Sequence, residues 1–158
     1  MNRVVLFYPA LTNGEESPTL YTALPLSLVA LAAPLRAASF DVEILDERLH
    51  RYTEEEIEKR LEGAVLAGIS AITSYQLVNG LRFARSIRRF APHIPIVWGG
   101  WHPTLMPMET LRHPLVDVVV VGQGEEILPQ LAKRALDRRS FKEVPNVLYK
   151  DTEEGVVV

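Results

Sequence analysis

The positions able to do chemistry in this chain fall in three short stretches, each placed after an apolar run that reads as a strand. They are Ser70-Ala71-Ile72-Thr73-Ser74, Gly99-Gly100-Trp101-His102-Pro103-Thr104 and Gly122-Gln123-Gly124-Glu125. Adjacent glycines at 99 and 100 let the backbone take conformations closed to other residues. They also remove the Cβ atoms that would hold a flat ligand or a second backbone at a distance. In an open α/β sheet the ligand crevice lies outside the carboxyl ends of the strands, where these stretches fall. A tight strand-to-helix turn with no ligand explains the same glycines equally simply.

Catalytic constellations are thin. The four histidines are His50, His93, His102 and His113, and only His102 directly follows a strand end. Glu125 and Glu126 stand at a helix start, where the helix dipole alone favours a carboxylate. With no cysteine in the sequence, disulfides, thiolate zinc sites, cysteine nucleophiles and iron–sulfur ligation are excluded within this chain. A net charge of -3 gives no electrostatic case for nucleic acid or for an anionic membrane surface.

These stretches need a sheet to position them. Apolar strands are expected at 3–8, 41–45, 65–69, 94–98 and 117–121, the last holding four consecutive valines and so reading as central. Helices are expected at 24–39, 54–62, 76–90, 108–112 and from Glu125 to about 138, with Pro34 kinking or breaking the first. Thr53 with Glu56 three residues on is a capping box for the second. The inner face of the third is read as Leu77, Leu81, Phe83, Ala84 and Ile87. Residues 147–150 and 156–158 look like a terminal hairpin around Glu154-Gly155. Five β–α units in succession dictate an α/β fold: a doubly wound, five-stranded parallel sheet of flavodoxin-like or Rossmann-like order 2-1-3-4-5.

At 158 residues the chain is read as one domain, with residues 1–140 as the ligand-binding part and 141–158 as the hairpin. The apolar run 24–35 carries Pro25, Ser27 and Pro34 and is too short to span a bilayer. The N-terminus enters a strand directly, without a signal-peptide layout. A cytoplasmic location is therefore expected.

Three relatives of this architecture can be weighed by their chemistry. A dinucleotide fold would place its glycine fingerprint after the first strand, where it is missing, although Asp46 ends the second strand as a ribose-binding acid would. A phosphoacceptor receiver needs acidic residues where Phe7-Tyr8-Pro9 and Gly68-Ile69-Ser70 stand. A flavodoxin would hold FMN phosphate in a loop of which Thr12-Asn13-Gly14 is a feeble version. An interaction or regulatory domain binding FMN, a small nucleotide or nothing stays open as an alternative.

Over nearly its whole length the chain resembles cobalamin-binding domains, specifically those of cobalamin-dependent radical S-adenosylmethionine (SAM) enzymes. The resemblance rests on the helix at 24–35 followed by Asp41-Val42-Glu43-Ile44-Leu45-Asp46, and on the three stretches named above, with Gly68-Ile69 leading into the first. Mutases and methyltransferases of that group carry DxHxxG, then SxL, then GG. Ser70-Ala71-Ile72 matches SxL with isoleucine for leucine, and residues 73–98 give the family's spacing to Gly99-Gly100. The axial histidine of DxHxxG falls on Pro25 in this sequence, and no histidine precedes His50. That departure fits the radical branch, which often lacks the histidine, and argues against a mutase.

The resemblance implies base-off cobalamin with no axial histidine, its nucleotide tail threaded between strands one and three. Ser70, Thr73 and Ser74 would hydrogen-bond the tail, and Gly99 and Gly100 would allow its close approach. Trp101, His102, Gly122, Gly124 and Glu125 would line the corrin or its amides; Trp101 could instead plug against a neighbouring domain. No residue is expected to be catalytic or to ligate metal. The 4Fe-4S cluster and SAM would belong to a separate radical SAM domain, with its CxxxCxxC motif. The end of the sequence in a hairpin strand suggests a piece of a longer methyltransferase or cyclase, the alternative being a stand-alone carrier.

Overall fold

The computed structural model describes residues 2–13, 23–151 and 155–157. Five strands, β1 (Arg3–Tyr8), β2 (Asp41–Asp46), β3 (Ala64–Ser70), β4 (Ile96–Gly99) and β5 (Val118–Val120), are parallel. They are followed by β6 (Val147–Asp151) and β7 (Gly155–Val157). The sheet order is β2-β1-β3-β4-β5-β6-β7, so the expected 2-1-3-4-5 core holds. The hairpin is not an appendage: β6 pairs antiparallel with β5, Val118 opposite Tyr149 and Val120 opposite Val147. It thereby satisfies the backbone groups that β5 would otherwise leave on an open edge.

Alternation along the strands splits the core into two layers. Val4 and Leu6 of β1, Val97 of β4 and Val118 of β5 pack with α1 (Leu26–Ala37) and α6 (Ile127–Leu136). Val5, Phe7, Trp98 and Val119 face the other way, against α2 (Glu54–Leu61), α3 (Tyr75–Phe90) and α5 (Pro107–Arg112). This is the doubly wound arrangement. Helix α1 runs through Pro34 rather than ending there. The Thr53 capping box forms, with Glu56 N donating to Thr53 Oγ1 at 3.2 Å and Thr53 N donating to Glu56 Oε2 at 2.8 Å.

Two features depart from the expected elements. A short helix, α4 (Trp101–Leu105), starts directly after the paired glycines. Its Pro103 lies in the first turn, where a backbone N–H would have no helical partner anyway. The second departure is the inner face of α3, where Gln76 and Asn79 are buried and Leu77 and Leu81 only partly so. The buried amides hold the chain leaving β1. Gln76 Nε2 donates to Pro9 O at 2.8 Å, and Asn79 Nδ2 donates to Ala10 O at 2.8 Å and Thr12 O at 3.0 Å. No helix among the described residues is long and apolar enough to cross a membrane.

Candidate functional site

Because side chains alternate, Leu6, Gly68, Ser70, Val97, Gly99 and Val120 all face the layer of α1 and α6. At the carboxyl ends of their strands they floor a cavity of about 220 Å³. Ser27, Leu28 and Leu31 of α1 and Leu128 of α6 roof it, and the turn from Gly122 to Glu125 closes one end. The glycines shape this space in different ways. A Cβ at Gly68 would stand 2.9 Å from Leu6 Cδ2, so glycine there lets Leu6 lean across the floor. A Cβ at Gly124 would meet Leu31 Cδ2 at 3.0 Å. At Gly99 a Cβ would meet nothing within 4 Å; the strand's alternation aims it into the cavity.

Gly100 has a different task. Its φ of 97° lies in the region that favours glycine, and a Cβ there would stand 2.9 Å from Ala71 O and 3.1 Å from Ser70 Oγ. The backbones of the two loops approach that closely because they are tied together. Ala71 N donates to Gly99 O at 3.0 Å and His102 N donates to Ala71 O at 3.1 Å. Thr73 Oγ1 and His102 Nδ1 are hydrogen-bonded at 2.8 Å. On the far side, Gly122 N donates to Thr104 Oγ1 at 3.0 Å, which binds α4 to the third loop. The three stretches singled out in the sequence thus form one connected rim.

Of the ten residues expected at the site, Ser70, Gly99, Gly100, Gly122, Gly124 and Glu125 line the cavity. Thr73, Trp101 and His102 are not among its lining residues; Thr73 and His102 bond each other, and Trp101 is 73% exposed. The Ser74 hydroxyl is engaged as the cap of α3, accepting from Gln76 N at 3.1 Å. Strands β1 and β3 are direct neighbours, Leu6 opposite Gly68, so the room lies over their face and not between them. A threaded tail would run under α1 and α6.

Sequence reasoning missed the apolar wall, notably Leu28, Leu31 and Leu128. The signal was available in the nearly all-round apolar character of α1, which suits a helix buried on one side and roofing an apolar space on another. Asp46, considered as a ribose ligand, is buried and fully used. Arg48 Nε and Nη2 donate to its two oxygens at 2.9 and 2.7 Å, and the guanidinium lies 4.3 Å from the Tyr8 ring centroid. The hydrogen bond to Asp46 is the main cause holding the Arg48 pKa above its ordinary value. Arg48 Nη2 also donates to Ala23 O at 2.8 Å, fixing the entry to α1 and hence the cavity roof. No group of three or more metal-ligating side chains occurs among the described residues.

Comparison with known proteins bears on the fold and the family. The chain is 28% identical over 135 residues to the anaerobic magnesium-protoporphyrin IX monomethyl ester cyclase of Synechocystis, covering 82% of this chain and 27% of that protein. It is 28% identical over 152 residues to an uncharacterized methyltransferase of Pyrococcus horikoshii, covering 94% of this chain and 33% of the relative. The chain therefore spans 27% and 33% of the length of these curated relatives. Its fold matches the solved radical SAM methyltransferase TsrM from Kitasatospora setae, with cobalamin and a [4Fe-4S] cluster bound, at a TM-score of 0.79 and 22% identity. That match covers 99% of this chain and 28% of TsrM. The model of the B12 binding domain matches residues 19–132, more than half of the sequence, and the chain belongs to the B12-binding domain family.

Proposed function

We propose that this chain is the cobalamin-holding module of a cobalamin-dependent radical SAM methyltransferase or cyclase, taking the cofactor base-off with no histidine on the cobalt. The observation that carries this reading is the empty space in front of Gly99, inside an apolar cavity at the carboxyl edge of the sheet. A flat aromatic base fits such a cavity: its walls are aliphatic, and Gly99 leaves part of its floor without a side chain. Ser70 supplies a hydroxyl at the cavity's edge for a hydrogen bond to the tail. The position of the usual axial histidine is held by Pro25, which opens α1 and has no group to offer a metal.

The residues divide the work as follows in this reading. Gly99 admits the tail, and Gly100 lets the β3 and β4 loops close on each other. Thr73 acts through His102, holding its imidazole at the rim, while Ser74 sets the start of α3. Trp101, His102, Gly122, Gly124 and Glu125 face the corrin or its amides. A bound corrinoid would supply a cobalt centre for methyl transfer or redox chemistry, and the chain would orient it and shield its lower face from water. Trp101, Leu105, Ile72 and Tyr75, all exposed in the segments that follow β3 and β4, would give the corrin and a covering domain an apolar surface to rest on. That domain would be the radical SAM domain, carrying the 4Fe-4S cluster and SAM, reached through the hairpin of 141–158. Residues 1–140 would hold the ligand, and the whole would work in the cytoplasm.

The test is an absorption spectrum of the purified chain after incubation with hydroxocobalamin and desalting. Retained corrinoid with its own base displaced is the expected result. Retained base-on corrinoid would discard the buried-tail geometry. A colourless protein would overturn the function, and a yellow one after flavin addition would put FMN in its place.

A further inference from the structure

The opposite edge of the sheet carries a second cavity of about 430 Å³, unrelated to the first. Arg88, His93, Arg138, Arg139 and Lys150 line it, and Asp117 is its one acidic residue. Four full positive charges converge there in a protein whose net charge is -3. Asp117 offsets one of them and leaves three. It pairs with Arg88 and accepts from Ile96 N at 2.7 Å. Lys150 Nζ donates to His113 O at 2.6 Å, which leaves its charge uncancelled. Among the described residues the side chains of His93, Arg138 and Arg139 have no hydrogen-bond or ion-pair partner.

Helix dipoles explain part of this pattern, since α3 and α6 both end at this edge and cations suit their last turns. They account for Arg88 and Arg89 in α3 and for Lys133 and Arg134 in α6. They do not account for Arg138. It follows α6 in a Schellman-type turn, with Arg139 N donating to Arg134 O at 2.8 Å. Its φ is 54°, at the one position of that turn where glycine is the usual residue. An arginine held in an unfavourable backbone conformation, with its guanidinium at a cavity and unpaired, is the kind of outlier from which a functional role can be argued.

We propose that this cavity binds a small multivalent anion of the phosphate type. Cations from the end of α3, the turn after α6 and strand β6 converge on one open, shallow depression. Planar guanidiniums at 138 and 139 suit bidentate recognition of phosphate oxygens. Pro92, Ile94, Pro95, Ala135 and Phe141 form the apolar part of the lining.

The test uses inorganic pyrophosphate as the probe, titrated at about 0.15 M ionic strength into the isotope-labelled 158-residue chain and followed by amide chemical shifts. Saturable shifts confined to residues 88, 93–94, 117, 138–141 and 150 are expected. The double variant Arg138→Ala/Arg139→Ala should weaken binding by about tenfold or more. Arg138→Gly suits the backbone better than the native residue, so it keeps the fold while also weakening binding. Lys142→Glu, a charge reversal outside the cavity, should leave the affinity within about twofold. Shifts that do not saturate at millimolar pyrophosphate, or a Lys142→Glu effect as large as that of the double variant, would overturn the site.

Discussion

Replacing Gly99 by valine puts a branched side chain into the cavity without disturbing the apoprotein. The position closes β4 with strand geometry, and a Cβ there meets no atom within 4 Å, so the variant should melt within a degree or two of the parent. Bound cobalamin changes the balance, because the added methyls occupy the volume assigned to its tail. Forcing extra methyl groups into an occupied, packed space costs about 1–3 kcal/mol, which is a roughly 5- to 140-fold weaker affinity. Gly100→Val should behave in the opposite order. Its φ of 97° and the 2.9 Å approach to Ala71 O strain the fold itself, by about 1–3 kcal/mol. At about 2–4 °C per kcal/mol for a chain of this size, the melting temperature should drop visibly before any ligand is added. Hydroxocobalamin titration of both variants beside thermal melts separates the two roles. Parental affinity in Gly99→Val would show that the ligand lies elsewhere, and early melting of that variant would show that the space in front of Gly99 is not free.

Two further outcomes follow from the scaffold. Thr53→Ala removes the reciprocal cap of α2 and should destabilise the fold by about 1 kcal/mol, read as a lower midpoint in thermal unfolding. Burial, with Lys150 and Arg85 nearby, pushes the His113 imidazole below its ordinary value, and its Nδ1 accepts from Leu115 N at 3.2 Å. A depressed folded-state pKa means that the unfolded chain takes the proton first. The contribution of His113 is therefore complete above pH 6.5 and is lost as pH falls through the lower, folded-state value. Melting temperatures recorded across that window should fall with acidification, and His113→Asn, which keeps an acceptor but cannot charge, should flatten the slope.

Much of this was legible in the sequence because its signals are local. Strand runs closed by glycine or small polar residues announce both the β–α repeat and the loops at the carboxyl edge. The repeat implied a doubly wound sheet, and the order 2-1-3-4-5 was the flavodoxin-like choice among those it allows. Helix α4 was not legible, since two glycines and Pro103 read as a plain turn, and only contact with Ala71 and Gly122 makes that segment worth folding into a helix. Gln76 and Asn79 are hidden for a related reason. Hydrophobic periodicity predicts an apolar inner face, but their partners are the carbonyls of Pro9, Ala10 and Thr12, more than sixty positions away in sequence. The cavity roof escaped because apolar residues that cover a ligand space look no different from apolar residues that fill a core. The FMN-like stretch at 12–14 and the hairpin turn at 154 fall partly outside the described residues.

Trp98 and Trp101 sit three positions apart on opposite sides of the paired glycines, and their surroundings could hardly differ more. Trp98 is 1% exposed, sealed over Gly80, with its Nε1 unpartnered among the described residues; Trp101 is 73% exposed and directly follows Gly100, a lining residue of the cavity. Those surroundings make the chain a two-channel emitter. The indole in the dry layer should fluoresce to the blue and redden only when the sheet comes apart. The wetted one should emit to the red and be quenched by an acceptor pigment settling above the rim. With Trp98→Phe and Trp101→Phe to isolate each channel, one cuvette would report unfolding and occupancy separately, from residues the protein already has.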